Sequence, residues 1–306
     1  MQFITDAQVR EHMTMNDAIA AMDSAFRAFG AGNGANLARN RANAGGRTIS
    51  AMGAVLPGAG VMGAKIYPTV DGKFNFVIPL FAFDDGRLLC VMEGNALTEF
   101  RTASVTRVAA SVLADPSSST LAIFGTGIQA RAHIQAFLPT MPIKKVNVVE
   151  PMGDATSFCT WLCDTFNVTA DAMTGEEAVT DADIIITVTR SKTALFDGNA
   201  VRLGTFVAAI GSSKPDAREV DDKLLARSAC IAVEWAPQTL IETGDFMLAA
   251  PEALDRRKVV ELGALLAGTT GYVRKADDVT LYKSVGIGVE DVALAELVWK
   301  RVSAAN

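Results

Sequence analysis

The sequence predicts an α/β fold: a doubly wound parallel sheet in the second half of the chain, joined to a smaller α+β domain built from the first half. Three observations carry this. From about Ser119 onward, short apolar, β-branched runs alternate with helical stretches, the pattern of strands buried on both faces by crossover helices. The first of those runs, LAIF, leads into G-x-G-x-x-A, from Gly125 to Ala130, and then into a helix. The first 115 residues read differently, as glycine-rich strand pieces and a hairpin signal set between amphipathic helices.

In chain order, TMNDAIAAMDSAFRAFGAG sets Ile19, Met22, Phe26 and Phe29 on one helical face, and Gly30 supplies the stop. The glycine-rich stretch NAGGRTISAMGAVLPGAGVMG follows, then NFVIPLFAF and RLLCVMEG around the turn residues DDG, a hairpin signal. TEFRTASVTRVAASVLA is a helix running to the linker DPSSS at 115–119, the expected domain boundary. Beyond it come the strand STLAIFG, a helix ending near Pro139, the strand KKVNVVE ending at Glu150, the helix DATSFCTWLCDTF and the short strand VTADAM. DIIITVT (183–189), TFVAAIG (205–211) and CIAVEW (230–235) are three more strands. The closing amphipathic segment GVEDVALAELVWKRVSA is expected to return to the first domain. The domains are therefore 1–115 plus 287–306, and 116–286.

Composition narrows the function. The 306 residues are half apolar and carry a net charge of −6, so no basic excess exists to neutralise a nucleic-acid backbone. No uninterrupted apolar run reaches the ~18 residues of a membrane span. The N-terminal stretch MQFITDAQVREHMTM places Asp6, Arg10 and Glu11 where a signal peptide needs its apolar core, so a mature, cytoplasmic protein is expected. Cys159 and Cys163 would share a helix face, but with only His12 and His133 in the chain the four cysteines read as small core residues in a reducing compartment and no metal is expected.

The glycine turn sits in the context that dinucleotide binding requires, after an apolar strand and before a helix. Gly125 allows the tight turn, Gly127 lets backbone approach a pyrophosphate, Ala130 permits close helix packing, and the helix N-terminus favours negative charge. Glu150, ending the second strand, would accept hydrogen bonds from the adenosine ribose and repel a phosphate there, which favours NAD over NADP. The expected cofactor set is Gly125, Thr126, Gly127, Ile128, Gln129 and Glu150, with Thr189 where a later strand ends.

A nicotinamide domain needs a substrate site. In the first half, Lys65 in GAKIYPTV, Arg101 at the start of a helix, and Arg39 and Arg41 in NLARNRANAGG are cations of the kind that hold a small carboxylate. ITDAQVREHMTMNDAIAAMDSAFRAFGAG, GAKIYPTV, LTEFRTASVTRVAA, IFGTGIQARAH, GSSKPDAREVDD and YKSVGIGVEDVALAELV together resemble the ornithine cyclodeaminase/mu-crystallin family over nearly the whole length. The pair Arg101–Thr102 and the turn GTGIQARAH are the most diagnostic. The resemblance implies a Rossmann domain plus a discontinuous N-terminal domain for substrate binding and homodimer formation, and an amino or imino acid bound beside the nicotinamide. It assigns Arg101 and Lys65 to the substrate carboxylate, with Lys65 also able to face the substrate nitrogen. It adds an arginine from ARNR, where spacing favours Arg41 over Arg39, and Asn75 at a position that is usually threonine in the cyclodeaminases. Where ornithine cyclodeaminases carry an aspartate, this chain has Ser213, which cannot take a proton as a carboxylate does. With Pro215, Asp216, Arg218 and Glu219, that stretch resembles the mu-crystallin-type ketimine reductases. The implied reaction is reduction of a small cyclic 2-imino acid, such as Δ1-pyrroline-2-carboxylate or Δ1-piperideine-2-carboxylate. Alanine dehydrogenase-like chemistry, acyclic imine reduction, ornithine cyclodeamination and non-catalytic cofactor binding are the alternatives.

Overall fold

The computed structural model describes residues 2–305. Two compact units divide the chain: the residues up to Val105 together with those from Gly286, and Thr106–Val285. The division falls inside a helix, ahead of the 115–119 linker.

The first unit opens with β1 (Gln2–Ile4), α1 (Asp6–His12) and α2 (Met15–Gly30). Both helices start on capping boxes, Thr5 with Gln8 and Thr14 with Asp17, in which each side chain satisfies the other's free backbone N–H. Ala18, Met22 and Phe26 are the buried line of α2, while Ile19 and Phe29 are only half-buried. Five longer strands follow, β2 (Ala35–Ala44), β3 (Arg47–Leu56), β4 (Val61–Val70), and, after the two-residue β5 (Lys73–Phe74), the hairpin β6 (Val77–Ala82) and β7 (Leu88–Glu93). The sheet order is β1-β7-β6-β4-β3-β2, with β5 on β4. All pairs are antiparallel except β1 with β7. Alternation divides this sheet cleanly. Ser50, Met52, Ala54 and Leu56 of β3 and Lys65 and Tyr67 of β4 are buried, whereas Ile49 and Ile66 on the opposite face are exposed. The helix α3 (Asn95–Leu113) crosses the division.

The second unit carries, in order, β8 (Thr120–Phe124), α4 (Ile128–Phe137), β9 (Lys145–Val149), α5 (Thr156–Phe166), β10 (Thr169–Ala172), α6 (Gly175–Thr180), β11 (Ile184–Thr187), β12 (Phe206–Ala209), α7 (Asp222–Arg227), β13 (Cys230–Val233), α8 (Ala236–Glu242), α9 (Gly244–Met247), β14 (Val259–Glu261), α10 (Leu262–Leu266) and β15 (Thr280–Lys283). Its eight strands are all parallel, in the order β10-β9-β8-β11-β12-β15-β13-β14. The order reverses between β8 and β11, and that switch point is where such sheets bind ligands, outside the strands' carboxyl ends. Ala122, Phe124, Ile185, Val207 and Leu281 lie in one core on this sheet. TLYK, not read as a strand from the sequence, fills a central place as β15.

The last helix, α11 (Gly288–Ala305), belongs to the first unit and packs on β3, β4 and α2. Its start is seated by glycine: a Cβ on Gly288 would come within 2.1 Å of the Gly53 carbonyl oxygen. Gly286 has φ +74°, and a Cβ there would meet the Arg101 guanidinium at 2.4 Å. No helix among the described residues is long and apolar enough to cross a membrane.

Candidate active-site residues

In the second unit, β8 ends at Phe124 and the chain turns at Gly125, whose φ of +101° disfavours any L side chain. Its N–H donates to Val149 O at 2.8 Å, and a Cβ would sit 3.1 Å from Val188 O. Gly127 caps α4, and a Cβ there would meet nothing within 4 Å. That open space over the first turn of a ten-residue helix suits an anion approaching the backbone. Thr126 donates to Glu150 Oε2 through both its N–H (3.1 Å) and its hydroxyl (2.8 Å), and Met152 N–H donates to Oε1 at 3.2 Å. Glu150 is thereby aimed from the end of β9 at the turn, the place of the ribose-binding carboxylate of dinucleotide folds. Ile128 is exposed and Gln129 half-buried. These residues fit a dinucleotide.

Thr189 stands just beyond the carboxyl end of β11, beside the carboxylate of Glu219. Glu219, fully buried, accepts from Thr189 N–H and hydroxyl on Oε1, and from Thr187 hydroxyl and Gly211 N–H on Oε2, all at 2.7 Å. It ties the ends of β11 and β12 together next to the switch point. Burial pushes Glu219 above the usual carboxylate range, against the pull of the Lys283 charge and the Thr189 and Thr187 hydrogen bonds. Asp245 backs it: Asp245 Oδ1 accepts Glu219 N–H (2.7 Å) and Val220 N–H (3.0 Å), and Oδ2 lies 2.8 Å from Lys283 Nζ. Asp245 and Lys283 are 0% exposed. Ser213 is half-buried in the loop between Gly211 and Glu219. His133 is fully buried on α4, with its ring nitrogens bonded to Gln129 O and the Thr106 hydroxyl.

In the first unit, Lys65 and Arg101 come together on the start of α11. Lys65 Nζ lies 2.7 Å from Asp291 Oδ1, and Arg101 Nη1 donates to Glu290 Oε2 at 2.8 Å, with its Nε 3.6 Å from Asp291 Oδ1. Glu290 also reaches back to accept Ile287 N–H at 2.9 Å, so one carboxylate caps the helix and holds the guanidinium. Lys65 is 1% exposed and Arg101 8%, which makes both pairs low-dielectric ones. Burial and the neighbouring Arg101 charge pull Lys65 down to about 8, against the attraction of Asp291. The Phe76 ring lies 5.1 Å from its ammonium.

Arg39 extends this cluster. Its Nη2 donates to Gly286 O at 3.0 Å and its Nε faces Met52 Sδ at 3.3 Å, and its charge also bears on Lys65. Arg41 is exposed and pairs with Ser50, one cross-strand row from the Met52–Lys65 row. It projects from the same face. Asn75 is exposed beside Phe76. Glu290, Asp291, Glu219, Asp245 and Lys283 were given no role from sequence. Their signal was present, in YKSVGIGVEDVALAELV and GSSKPDAREVDD, but nothing local says that these groups are buried.

Comparison with known proteins agrees in family. Residues 1–306 match the model of the ornithine cyclodeaminase/mu-crystallin family. The mouse protein ketimine reductase mu-crystallin is 33% identical over 243 residues, covering 77% of this chain and 74% of its own length. A Δ1-pyrroline-2-carboxylate reductase of Bacillus cereus is 31% identical over 265 residues, 83% of this chain and 81% of its own. Among solved structures, a probable ornithine cyclodeaminase from Bordetella pertussis Tohama I superposes with TM-score 0.97 at 42% identity, covering 100% of this chain and 98% of that one.

Proposed function

Because this chain belongs to the ornithine cyclodeaminase/mu-crystallin family, we propose that it is an oxidoreductase that reduces a small cyclic 2-imino acid, such as Δ1-pyrroline-2-carboxylate or Δ1-piperideine-2-carboxylate, to the L-amino acid. The observation that carries the reading is the buried cation cluster on α11. Lys65 and Arg101 pair with Asp291 and Glu290 of α11, and the half-buried Arg39 reaches Gly286 O just before that helix; ammonium and guanidinium groups gathered in this way suit a small carboxylate. The geometry favours Arg39 over Arg41 as the third cation. The reduced nicotinamide supplies hydride when bound at the Gly125–Gln129 turn. What the protein adds is position: fixing a small planar acid by its carboxylate leaves the C=N carbon one orientation, and orientation of this kind is worth about 7–11 kcal/mol.

Ser213 supports reduction over cyclising deamination, since a neutral hydroxyl does not take a proton as a carboxylate does. The test is oxidation of NADH and NADPH against cyclic imino acids, pyruvate with ammonia, and ornithine. Oxidation with the cyclic imines supports the reading. Ammonia release from ornithine, or turnover with pyruvate and ammonia alone, overturns it.

Glu150 supports NAD over NADP, because its carboxylate would face a 2′-phosphate. Glu150→Arg is expected to swing the ratio of kcat/KM for NADH over NADPH by at least tenfold toward NADPH, about 1.4 kcal/mol. Equal ratios in the two enzymes would remove Glu150 from the ribose site. The outer face of the first sheet supports a homodimer. Phe3, Ile49, Ile66 and Val77 are 38–56% exposed, and the register Phe3–Val91–Pro79 and Ala51–Ile66–Val77 joins them across strands. Exposed apolar side chains gathered on one sheet face are of the kind that interfaces cover. Ile66→Asp is expected to shift light-scattering mass from dimer to monomer. The four cysteines are free thiols, as suits a cytoplasmic protein.

A further inference from the structure

The carboxyl ends of β11 and β12 enclose a carboxylate whose hydrogen bonds are complete. An ionised Glu219 has two lone pairs on each oxygen, and four donors take them. Thr189 N–H and hydroxyl bond Oε1, and Thr187 hydroxyl and Gly211 N–H bond Oε2, each at 2.7 Å. A proton on either oxygen would meet one of these donors head on, so the set fits the ionised form, which the Lys283 charge also favours. Both threonine hydroxyls therefore donate here. The Thr189 hydroxyl also accepts Ser191 N–H at 3.1 Å. Its hydrogen is spent and one lone pair is left. What Thr189 offers a ligand is an acceptor.

That lone pair stands beside the glycine turn. The place of a Cβ on Gly125 is 3.6 Å from Thr189 Cγ2. Thr189 is half-buried and Gly211 exposed, while Glu219 is 0% exposed, so the corner is open and its carboxylate is not. A Cβ on Gly211 would run into Thr189 O and Glu219 Oε1, so no side chain can cover the corner from there. Glu150 follows β9 on one side of β8, and Thr189 and Gly211 follow β11 and β12 on the other. With its adenosine ribose at Glu150, a dinucleotide crossing this switch point carries its nicotinamide half toward β11 and β12. We propose that Glu219 is a positioning residue that holds Thr189 as an acceptor, and that the Thr189 hydroxyl takes a hydrogen bond from the carboxamide NH2 of the nicotinamide. This rests on the dinucleotide reading of the Gly125–Gln129 turn. The two ends of a carboxamide differ in donor and acceptor character, so Glu219 selects which end faces Thr189 without touching the ring.

The experiment is calorimetric affinity for three oxidised dinucleotides: NAD, its thionicotinamide analogue, which keeps the NH2, and its 3-acetylpyridine analogue, which carries methyl in its place. Equilibrium binding leaves the analogues' different reduction potentials out of the comparison. Wild type is expected to bind the thionicotinamide form within about twofold of NAD, and the acetylpyridine form about five- to tenfold more weakly, the size of one hydrogen bond. Thr189→Val should close that gap by weakening NAD, and Thr189→Ser should keep it. Glu219→Ala frees the Thr189 hydroxyl to turn and donate to the acetyl carbonyl, so the gap should close there by improved binding of the acetylpyridine form relative to NAD. No gap in wild type, a wild-type gap in Glu219→Ala, or an equal loss for all three dinucleotides in that variant, as a merely structural role would give, overturns the proposal. So does an equal loss in Thr189→Val, which would make a ribose hydroxyl the donor. If Glu219→Ala fails to fold, the threonine variants decide, because the gap exists only when the hydroxyl cannot turn to donate: closed in Thr189→Val and kept in Thr189→Ser supports the proposal, and any other pair overturns it. Wild type that binds none of the three overturns the dinucleotide reading itself, and the proposal with it.

Discussion

Arg101→Ala is expected to lower kcat/KM for a cyclic 2-imino acid by about 10²- to 10⁴-fold, or about 2.7–5.4 kcal/mol of transition-state stabilisation. Two losses combine. The substrate carboxylate loses a charge-assisted fork of hydrogen bonds, and the substrate loses the orientation that fork imposes. Glu290 is also left as a buried carboxylate whose guanidinium partner at 2.8 Å has gone, which costs stability rather than rate. The two are separable. Arg101→Met with Glu290→Gln removes both charges, so thermal stability should return toward wild type while kcat/KM stays low. Arg101→Lys should recover only part of the activity, since an ammonium cannot reproduce a planar fork. Kinetics indistinguishable from wild type would remove Arg101 from the site.

The same residues show what a sequence can and cannot disclose. The turn was legible because its requirements are local: Gly125 needs a positive φ, Gly127 needs open space, and a strand and a helix must flank them. The apolar runs of the parallel sheet were legible for the same reason, since burial on both faces leaves an unbroken β-branched signature. β2, β3 and β4 were hidden by small residues. Gly53 and Gly63 approach neighbouring carbonyls too closely for any Cβ, so the glycine-rich composition there does not mark where each strand begins and ends. The register of Arg39 and Arg41 depends on a shift between Leu37 and Asn40, and a bulge has no reliable sequence mark. Glu290, Asp291, Glu219 and Asp245 look like ordinary acidic residues. What sets them apart is burial near cations tens to hundreds of positions away, such as Lys65 and Asp291, 226 positions apart in the chain.

Asp245→Ala is expected to be the most destabilising of these substitutions, by about 3–5 kcal/mol, the usual cost of stranding a buried charge. Lys283 is 0% exposed, and Asp245 is the carboxylate within ion-pair distance of it, at 2.8 Å. Asp245 also accepts the N–H groups of Glu219 and Val220 and the hydroxyl of Thr243, so its loss leaves three further donors in the core. At about 2–4 °C per kcal/mol for a chain of this size class, Tm should fall by roughly 10 °C. The pH dependence has a definite sign. Lys283 and the surrounding donors hold the Asp245 carboxyl below its usual range despite burial. Its stabilisation is therefore complete above about pH 4, the unfolded value, and is lost only as pH falls through the depressed folded value. The gap in Tm between wild type and variant should be flat from pH 8 to 5 and close in more acid solution. Glu219 works in the opposite sense, because burial raises its pKa and its charged form weakens the fold as pH rises through that value. Asp245 fixes the Glu219 backbone through its N–H and lies 2.8 Å from Lys283, whose charge opposes the rise that burial imposes on Glu219. Asp245→Asn combined with Lys283→Met, which removes both charges and keeps the volume, should regain most of the lost Tm. A double variant as unstable as Asp245→Ala would mean that packing, not charge, holds this corner of the sheet.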